Sequence, residues 1–87
     1  MRESRLEKRC CSMLEKASMM TMKAGHQGWP DRLVIIRPGH HVWLEFKVGA
    51  NGLTPAQKIR IPQLMEKGET VYIIREVSDL LAVLVFL

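Results

Sequence analysis

The sequence has few cysteines, few aromatic residues and no hydrophobic run long enough to cross a bilayer. Its two cysteines, Cys10 and Cys11, are adjacent, which does not suit the disulfide framework of a small secreted domain. We interpret Cys10 as a core residue and Cys11 as incidental. The apolar run from Leu80 to Leu87 is too short for a membrane span, and the N-terminal segment is too polar for a signal peptide. The default location is therefore the reducing cytoplasm.

Length and charge indicate one small domain that spans residues 1–87. The apolar fraction of 47% and the mean hydropathy of -0.02 are typical of globular chains. A net charge of +4 suits a polyanionic partner such as nucleic acid. The basic residues are dispersed, so no segment has the composition of a disordered basic tail.

Hydrophobic periodicity predicts a helix at each end of the chain. In residues 3–17 a single apolar stripe recurs at helical spacing and comprises Leu6, Cys10, Met13, Leu14 and Ala17. Residues 19–24 are predicted to form a strand, although methionine is a weak strand marker. Ser78 and Asp79 can cap a last helix over residues 80–87, which is apolar on every side. Such a helix must be buried, and we expect a second subunit to cover it.

The stretch from Gly28 to Lys47 is predicted to be a β-hairpin with its turn at Pro38 and Gly39. Residues two apart on a strand share a face. One face of the second strand therefore carries Trp43, Glu45 and Lys47, and the other carries the core residues Val42, Leu44, Phe46 and Val48. Asp31 stands at the entrance to the first strand, residues 32–37, whose apolar character on both faces predicts a central position. Two carboxylates and a lysine suit a divalent cation, a phosphodiester and a water molecule.

A second helix is predicted to begin at Thr54, with Pro55 in its first position and Gln57 in its third. Gly68 would end this helix, and Pro62 is predicted to kink it, at about 3 kcal/mol if the helix stayed straight. Residues 70–75 follow as a strand. The predicted class is α/β, with the order α-β-β-β-α-β(-α) and a mixed sheet flanked by helices.

The order of these motifs resembles the PD-(D/E)XK nuclease superfamily and, more narrowly, the minimal VRR-NUC (virus-type replication-repair nuclease) domains of phages and bacteria. The resemblance covers nearly the whole chain. It rests on Gly28-Trp-Pro-Asp-Arg-Leu-Val-Ile, Val42-Trp-Leu-Glu-Phe-Lys, Leu53-Thr-Pro-Ala-Gln and the segment from Leu64 through Gly68 to Val71-Tyr-Ile-Ile. It implies a restriction-endonuclease-like core and a metal-dependent DNA endonuclease in the cytoplasm of a bacterial or phage-infected cell.

The resemblance also implies roles for individual residues. Asp31 and Glu45 would bind Mg²⁺, or Mn²⁺ as a substitute, together with the backbone carbonyl of Phe46. Lys47 would position and polarise the attacking water. Stand-alone minimal members are similar to dimeric enzymes that cut four-way DNA junctions, which implies a homodimer acting on branched or Holliday-junction DNA.

Two assignments stay open. The family's N-terminal glutamate is Glu3, which matches the pattern Glu-x-x-aliphatic, or Glu7, which a capping box with Ser4 would make structural. We favour Glu3. Gln57 lies near the active site in the family, but it also completes the capping box of Thr54, and we expect both roles only if its side chain swings away from Thr54.

The remaining basic residues offer phosphate contacts. We expect Lys23, Arg32, Arg60 and His26 to approach DNA. A zinc site built from His26, His40 and His41 is rejected, because structural zinc needs four ligands at recognisable spacings. Trp29 is interpreted as a packing residue.

Two alternatives to a junction-cleaving nuclease remain. One is a nuclease with another preference, such as nicking or sequence-specific cutting. The other is a nucleic-acid-binding module that keeps the fold without catalysis. The joint presence of Asp31, Glu45 and Lys47 argues against the binding module, which has no evident need for all three.

Overall fold

The computed structural model describes residues 2–86 as three helices and four strands that follow the predicted order. The predicted α/β class with a mixed sheet is confirmed. The elements are α1 (Glu3–Lys16), β1 (Met20–Lys23), β2 (Arg32–Arg37), β3 (His40–Phe46), α2 (Pro55–Glu66), β4 (Val71–Ile74) and α3 (Val77–Phe86).

The four strands form one sheet in the order β1-β2-β3-β4. The β1–β2 and β2–β3 pairs are antiparallel, and β4 runs parallel to β3. The predicted central position of β2 is thus confirmed. In the β2–β3 hairpin Val34 is opposite Val42 and Arg32 is opposite Leu44, so the β3 residues predicted as core do share one face.

That face packs against α1 and α3. The buried core joins Leu6, Cys10 and Leu14 of α1 to Val34, Val42, Leu44, Phe46, Ile74, Leu80 and Val83. Our interpretation of Cys11 was wrong, because its side chain is also buried, at 5% exposed. Ala17, which we had placed on the buried stripe, is exposed, since α1 ends at Lys16.

The second long helix lies on the other side of the sheet. Gln57 of α2 contacts Glu45, whose side chain is on the face opposite Leu44. Thr54 and Gln57 form the predicted capping box. The helix continues through Pro62 to Glu66, with the proline exposed to solvent. Water can therefore reach the carbonyl of Lys58, to which proline has no N–H to donate.

The last helix is only partly covered. Leu80 and Val83 are buried, and Leu84 packs against the core. The side chains of Leu81, Val85 and Phe86 are exposed at 50%, 81% and 84%, while Leu87 lies outside the described residues. The helix begins at Val77, before the predicted cap. No helix within residues 2–86 is long and apolar enough to cross a membrane.

Candidate active site

Two carboxylates meet where β2 begins and β3 ends. Since Arg32 is paired with Leu44, Asp31 lies one step beyond the ladder and faces Glu45. The Asp31 N–H donates to Glu45 Oε1 at 3.1 Å, and the Phe46 N–H donates to Asp31 Oδ2 at 2.8 Å. Glu45 is thus held by the backbone amide of Asp31, and Asp31 is held by the backbone amide of the residue after Glu45. The Glu45 side chain is buried, at 2% exposed.

The other oxygen of Glu45 holds two further site residues. Lys47 Nζ lies 3.2 Å from Glu45 Oε2, and Gln57 Nε2 donates to the same atom at 2.8 Å. Lys47 shares the Glu45 face of the chain by strand alternation and is itself 6% exposed. The four predicted residues Asp31, Glu45, Lys47 and Gln57 are therefore brought together.

Gln57 takes part in the capping box of Thr54 and in the active site at the same time. Its Oε1 accepts the Thr54 N–H at 3.0 Å, while Thr54 Oγ1 accepts the Gln57 N–H at 3.2 Å. The Nε2 end of the same amide reaches Glu45. Our expectation that the side chain must leave Thr54 to reach the site was wrong, because an amide has an acceptor at one end and a donor at the other.

Glu7, rather than Glu3, lies beside this site. Glu7 Oε2 is 2.9 Å from Lys23 Nζ and 2.6 Å from Arg32 Nε, and its charge acts on Asp31. Glu3 instead accepts the Asn51 side-chain amide at 2.9 Å. Our preference for Glu3 is therefore not supported by the geometry.

The capping box proposed for Ser4 and Glu7 does not form, since α1 has Arg2 at its N-cap and no side-chain cap. A signal for Glu7 was present in the sequence. Glu7 precedes Cys10, Cys11 and Leu14 by three, four and seven residues, which places it in the middle of the buried stripe of α1.

The loop before β2 and the start of α2 enclose a cleft of about 530 Å³ beside Asp31. Gly28 sets their spacing: its φ is +85°, and a Cβ there would lie 3.0 Å from the carbonyl oxygen of Ala56. A side chain at this position would be strained and would push the loop from the helix. Lys23 and His26 line the same cleft, together with Asp31 and Gln57.

The carboxylates differ in their pKa shifts. Burial, reinforced by repulsion from Asp31, raises the pKa of Glu45, and the hydrogen bonds from Gln57 and Lys47 only partly oppose this. Burial also raises the pKa of Asp31, with repulsion from Glu7 added. Burial acts against ionisation of Glu7 too, but hydrogen bonds from Lys23 and Arg32 outweigh it and lower the pKa. When both are ionised, Asp31 and Glu45 carry more negative charge than the one ion-paired lysine, Lys47, neutralises.

The remaining predicted DNA contacts lie around the cleft. Lys23 and Arg32 both bind Glu7. The Arg60 guanidinium stacks 5.3 Å from the centre of the Trp29 ring. Trp29 in turn packs against Trp43, with ring centres 5.6 Å apart. These contacts agree with a packing role for Trp29.

The adjacent histidines lie elsewhere. His40 and His41 begin β3, at the end away from Glu45. His41 Nε2 is 2.8 Å from Glu69 Oε1, which also accepts the Trp43 indole N–H at 2.7 Å. Within residues 2–86, no group of three or more His, Cys, Asp or Glu side chains is arranged to hold a metal ion.

The donor set at Asp31 and Glu45 nevertheless suits a hard divalent cation. Mg²⁺ is typically bound through one or two carboxylates plus waters and substrate phosphates. The Phe46 N–H points to Asp31 while the next N–H, that of Lys47, bonds Ile74 on β4. Because the N–H and C=O of a strand residue point to the same side, the Phe46 carbonyl also points to the Asp31 side. The carbonyl is therefore on the same side of β3 as the Asp31 carboxylate.

Comparison with known proteins identifies the fold. Neither a protein-family model nor a curated protein matches the sequence. A solved structure described as a VRR_NUC domain matches with a TM-score of 0.79 and 23% sequence identity, over 88% of this chain and 87% of that one. The chain has the VRR_NUC fold.

The fold predicted from the motifs is thereby confirmed. In this chain the loop before β2 and the start of α2 line the cleft, beside the carboxylates of Asp31 and Glu45.

Proposed function

We propose that this chain is a divalent-cation-dependent nuclease that hydrolyses phosphodiester bonds in DNA. The observation that supports this most strongly is the convergence of Asp31, Glu45 and Lys47 at one end of β3, with the pKa of both carboxylates raised. A buried site with more negative than positive charge is costly unless a cation neutralises it. A cluster with only a structural role would lower the stability of the fold without any compensating function.

Asp31, Glu45 and the Phe46 carbonyl would hold Mg²⁺, for which Mn²⁺ can substitute. When bound, the cation would polarise a phosphoryl oxygen and acidify a water molecule. Gln57 keeps Glu45 in place through one hydrogen bond. Glu7 holds Lys23 near the cleft.

Lys47 has a separate task. Its ammonium is buried and borders Glu45, so its charge acts in a poorly screened environment. There it can hold the attacking water by a hydrogen bond and offset the negative charge that grows on the phosphate. Lys23 and His26 line the cleft, and together with Arg32 and Arg60 they are proposed to contact the flanking phosphates.

A panel of linear, flap, fork and four-way DNA tests this function, with Mg²⁺ and with a chelator. We expect wild-type protein to cut with Mg²⁺ only, and to prefer the branched substrates. Glu45→Ala should abolish cleavage, whereas Glu66→Ala, an exposed glutamate on α2, should match wild type. Full cutting by Glu45→Ala would overturn this site, and a wild-type protein inert on every substrate with Mg²⁺ and Mn²⁺ would overturn the function.

We further propose a homodimer, in which a twofold axis presents two active sites to the two strands of a junction. The exposed Leu81, Val85 and Phe86 of α3 form its contact surface. The solution mass should be about twice the 10.0 kDa chain mass.

The dimer prediction is tested with a matched pair of double variants. Leu81→Asp with Phe86→Asp should give monomers and reduce junction cleavage, because charges in an apolar interface are costly. Leu84 is avoided because it packs against the core. Met20→Asp with Met22→Asp alters the exposed apolar residues of β1 and should leave the mass unchanged. A wild-type monomer that still cuts both junction strands in concert would contradict the dimer.

A further inference from the structure

A second groove lies along the outer side of α1, where that helix passes the start of β2. It has a volume of about 530 Å³ and is lined by Lys8, Cys11, Ser12, Glu15, Lys16 and Arg32. Of these residues, only Arg32 has a role in the proposed nuclease site.

The unpaired charge of this groove is positive. Lys8 and Lys16 are exposed, and within residues 2–86 neither forms an ion pair. The single carboxylate in the groove, that of Glu15, accepts a hydrogen bond from the Thr21 hydroxyl at 3.0 Å. Arg32 is paired with Glu7. Two lysines against one glutamate therefore face solvent in a concave surface, which favours an anionic ligand.

The groove lies next to the active-site cleft, although no described residue lines both. Arg32 lines the groove, and Lys23 lines the cleft. Both cations bind the one carboxylate of Glu7, at 2.6 and 2.9 Å. The Lys23–Glu7–Arg32 bridge thus stands between two neighbouring basic surfaces, one in the cleft and one along α1.

The residues along α1 are spaced to follow a chain of phosphates. Lys8, Ser12 and Lys16 recur every four residues, so they lie on one side of the helix, about 6 Å apart along its axis. Two ammonium groups and a hydroxyl in a row can contact successive phosphate groups without reading the bases.

We propose that this α1 groove binds the sugar–phosphate backbone of a second DNA arm while the cleft holds the strand to be cut. The inference rests on the proposed nuclease function and gives that function a structural reason to prefer branched DNA. A linear duplex in the cleft has no second arm to offer the groove.

Equilibrium binding of labelled DNA in a chelating buffer tests the inference apart from catalysis. The substrates are a four-way junction and a linear duplex with the sequence of one of its arms. In Lys8→Ala with Lys16→Ala, the Kd for the junction should rise about tenfold, and the slope of log K against log salt should fall by about 2, one for each lost phosphate contact. Binding of the linear duplex should change less than twofold.

Lys58→Ala with Lys67→Ala is the matched control, because it removes the same charge from exposed positions on α2 and just after it. This control should retain the junction salt slope to within about 0.5. Thermal melting should show that both double variants stay folded, since all four lysines are exposed.

Three results would overturn the inference. One is an unchanged salt slope in the Lys8 and Lys16 variant, and another is a slope lowered equally by the control. The third is an equal loss of affinity for linear and junction DNA, which would mean that the groove extends the cleft instead of holding a second arm. Failure of the wild-type protein to bind any DNA would reject the nuclease as well, so the two failures are distinguishable.

Discussion

Glu7 and the Asp31–Glu45 pair are neighbouring carboxylates whose pKa values are shifted in opposite directions. Glu7 has two cations on one carboxylate, and its pKa is lowered. In the pair, Glu45 has Lys47 as its cationic partner, and the pKa of both Asp31 and Glu45 is raised. Burial acts to raise the pKa of all three carboxyl groups. Two hydrogen-bonded cations outweigh it at Glu7, whereas repulsion from a neighbouring carboxylate adds to it at Asp31 and Glu45.

Within one small domain, some carboxylates have a structural role and others are available for chemistry. A carboxylate with two fixed partners can tether α1 to β1 and β2, because its charge is already neutralised. A carboxylate pair with a single lysine keeps charge available for a further cation. We infer that Glu7 organises the basic residues around the site, while Asp31 and Glu45 are left for the metal and the phosphate.

The largest stability difference should appear when each carboxylate is removed in metal-free protein. Glu7→Ala leaves Arg32 half-buried without its partner and should lower the free energy of unfolding by about 2–3 kcal/mol, less than a fully buried pair because Lys23 is 57% exposed. Asp31→Ala loses the hydrogen bond from Phe46 but relieves repulsion, and should change it by less than about 1 kcal/mol.

Urea unfolding of both variants measures this difference, with Glu66→Ala as a control for loss of an exposed glutamate. Equal destabilisation by Glu7→Ala and Asp31→Ala would remove the distinction between the two regions. A stable Glu7→Ala that no longer binds divalent ions would instead move Glu7 into the metal site.

A smaller effect should follow from changing Lys47, the ion-pair partner of Glu45. Lys47→Arg keeps the charge but replaces a compact ammonium by a planar guanidinium. DNA binding should survive, while turnover falls by at least about tenfold, or roughly 1.4 kcal/mol of transition-state stabilisation. Single-turnover cleavage and a separate binding assay distinguish an effect on turnover from an effect on DNA binding, with Lys67→Arg as the control. Turnover within twofold of wild type would show that Lys47 supplies only a positive field.

Short-range patterns predicted the parts of this site that depend on local geometry. The alternation of β3 predicted that Glu45 and Lys47 share a face, and the capping pattern predicted the start of α2 at Thr54. The partners of Glu7 could not be predicted in this way, because Lys23 and Arg32 lie 16 and 25 residues away. Only the register of the sheet brings them to α1.

Local sequence patterns also led to the wrong assignments for Glu3, Glu7 and Gln57. Glu3 and Glu7 are one helical turn apart, and a local motif matched Glu3 better than the position of Glu7 in the buried stripe. Gln57 was assigned to the cap or to the site because a sequence pattern does not show which end of an amide meets which partner. The VRR_NUC fold itself was predictable because the motifs that carry the family resemblance are short and follow one another along nearly the whole chain.

The smallest expected effect is the dependence of metal-free stability on pH. The pKa of Glu7 is lower in the folded protein than its ordinary value of 4.5. Its contribution to the free energy of unfolding is therefore fully present above pH 4.5 and is lost as the pH falls through the pKa of the folded state. A raised pKa, as in Asp31 and Glu45, acts in the opposite sense, so their contribution grows as the pH falls from neutral through their folded values. The free energy of unfolding should therefore pass through a maximum in mildly acidic buffer and decline at lower pH.

Urea unfolding across this pH range in the presence of a chelator measures the curve. Asp31→Ala with Glu45→Ala should flatten the rise between neutral and mildly acidic pH, because the groups that gain protons on folding are gone. Glu7→Ala should keep that rise and show a shallower decline at lower pH, where Glu69, whose pKa is also lowered, still contributes. A rise that survives in the Asp31 and Glu45 variant would place its origin in other groups and would contradict an excess of negative charge at the proposed metal site.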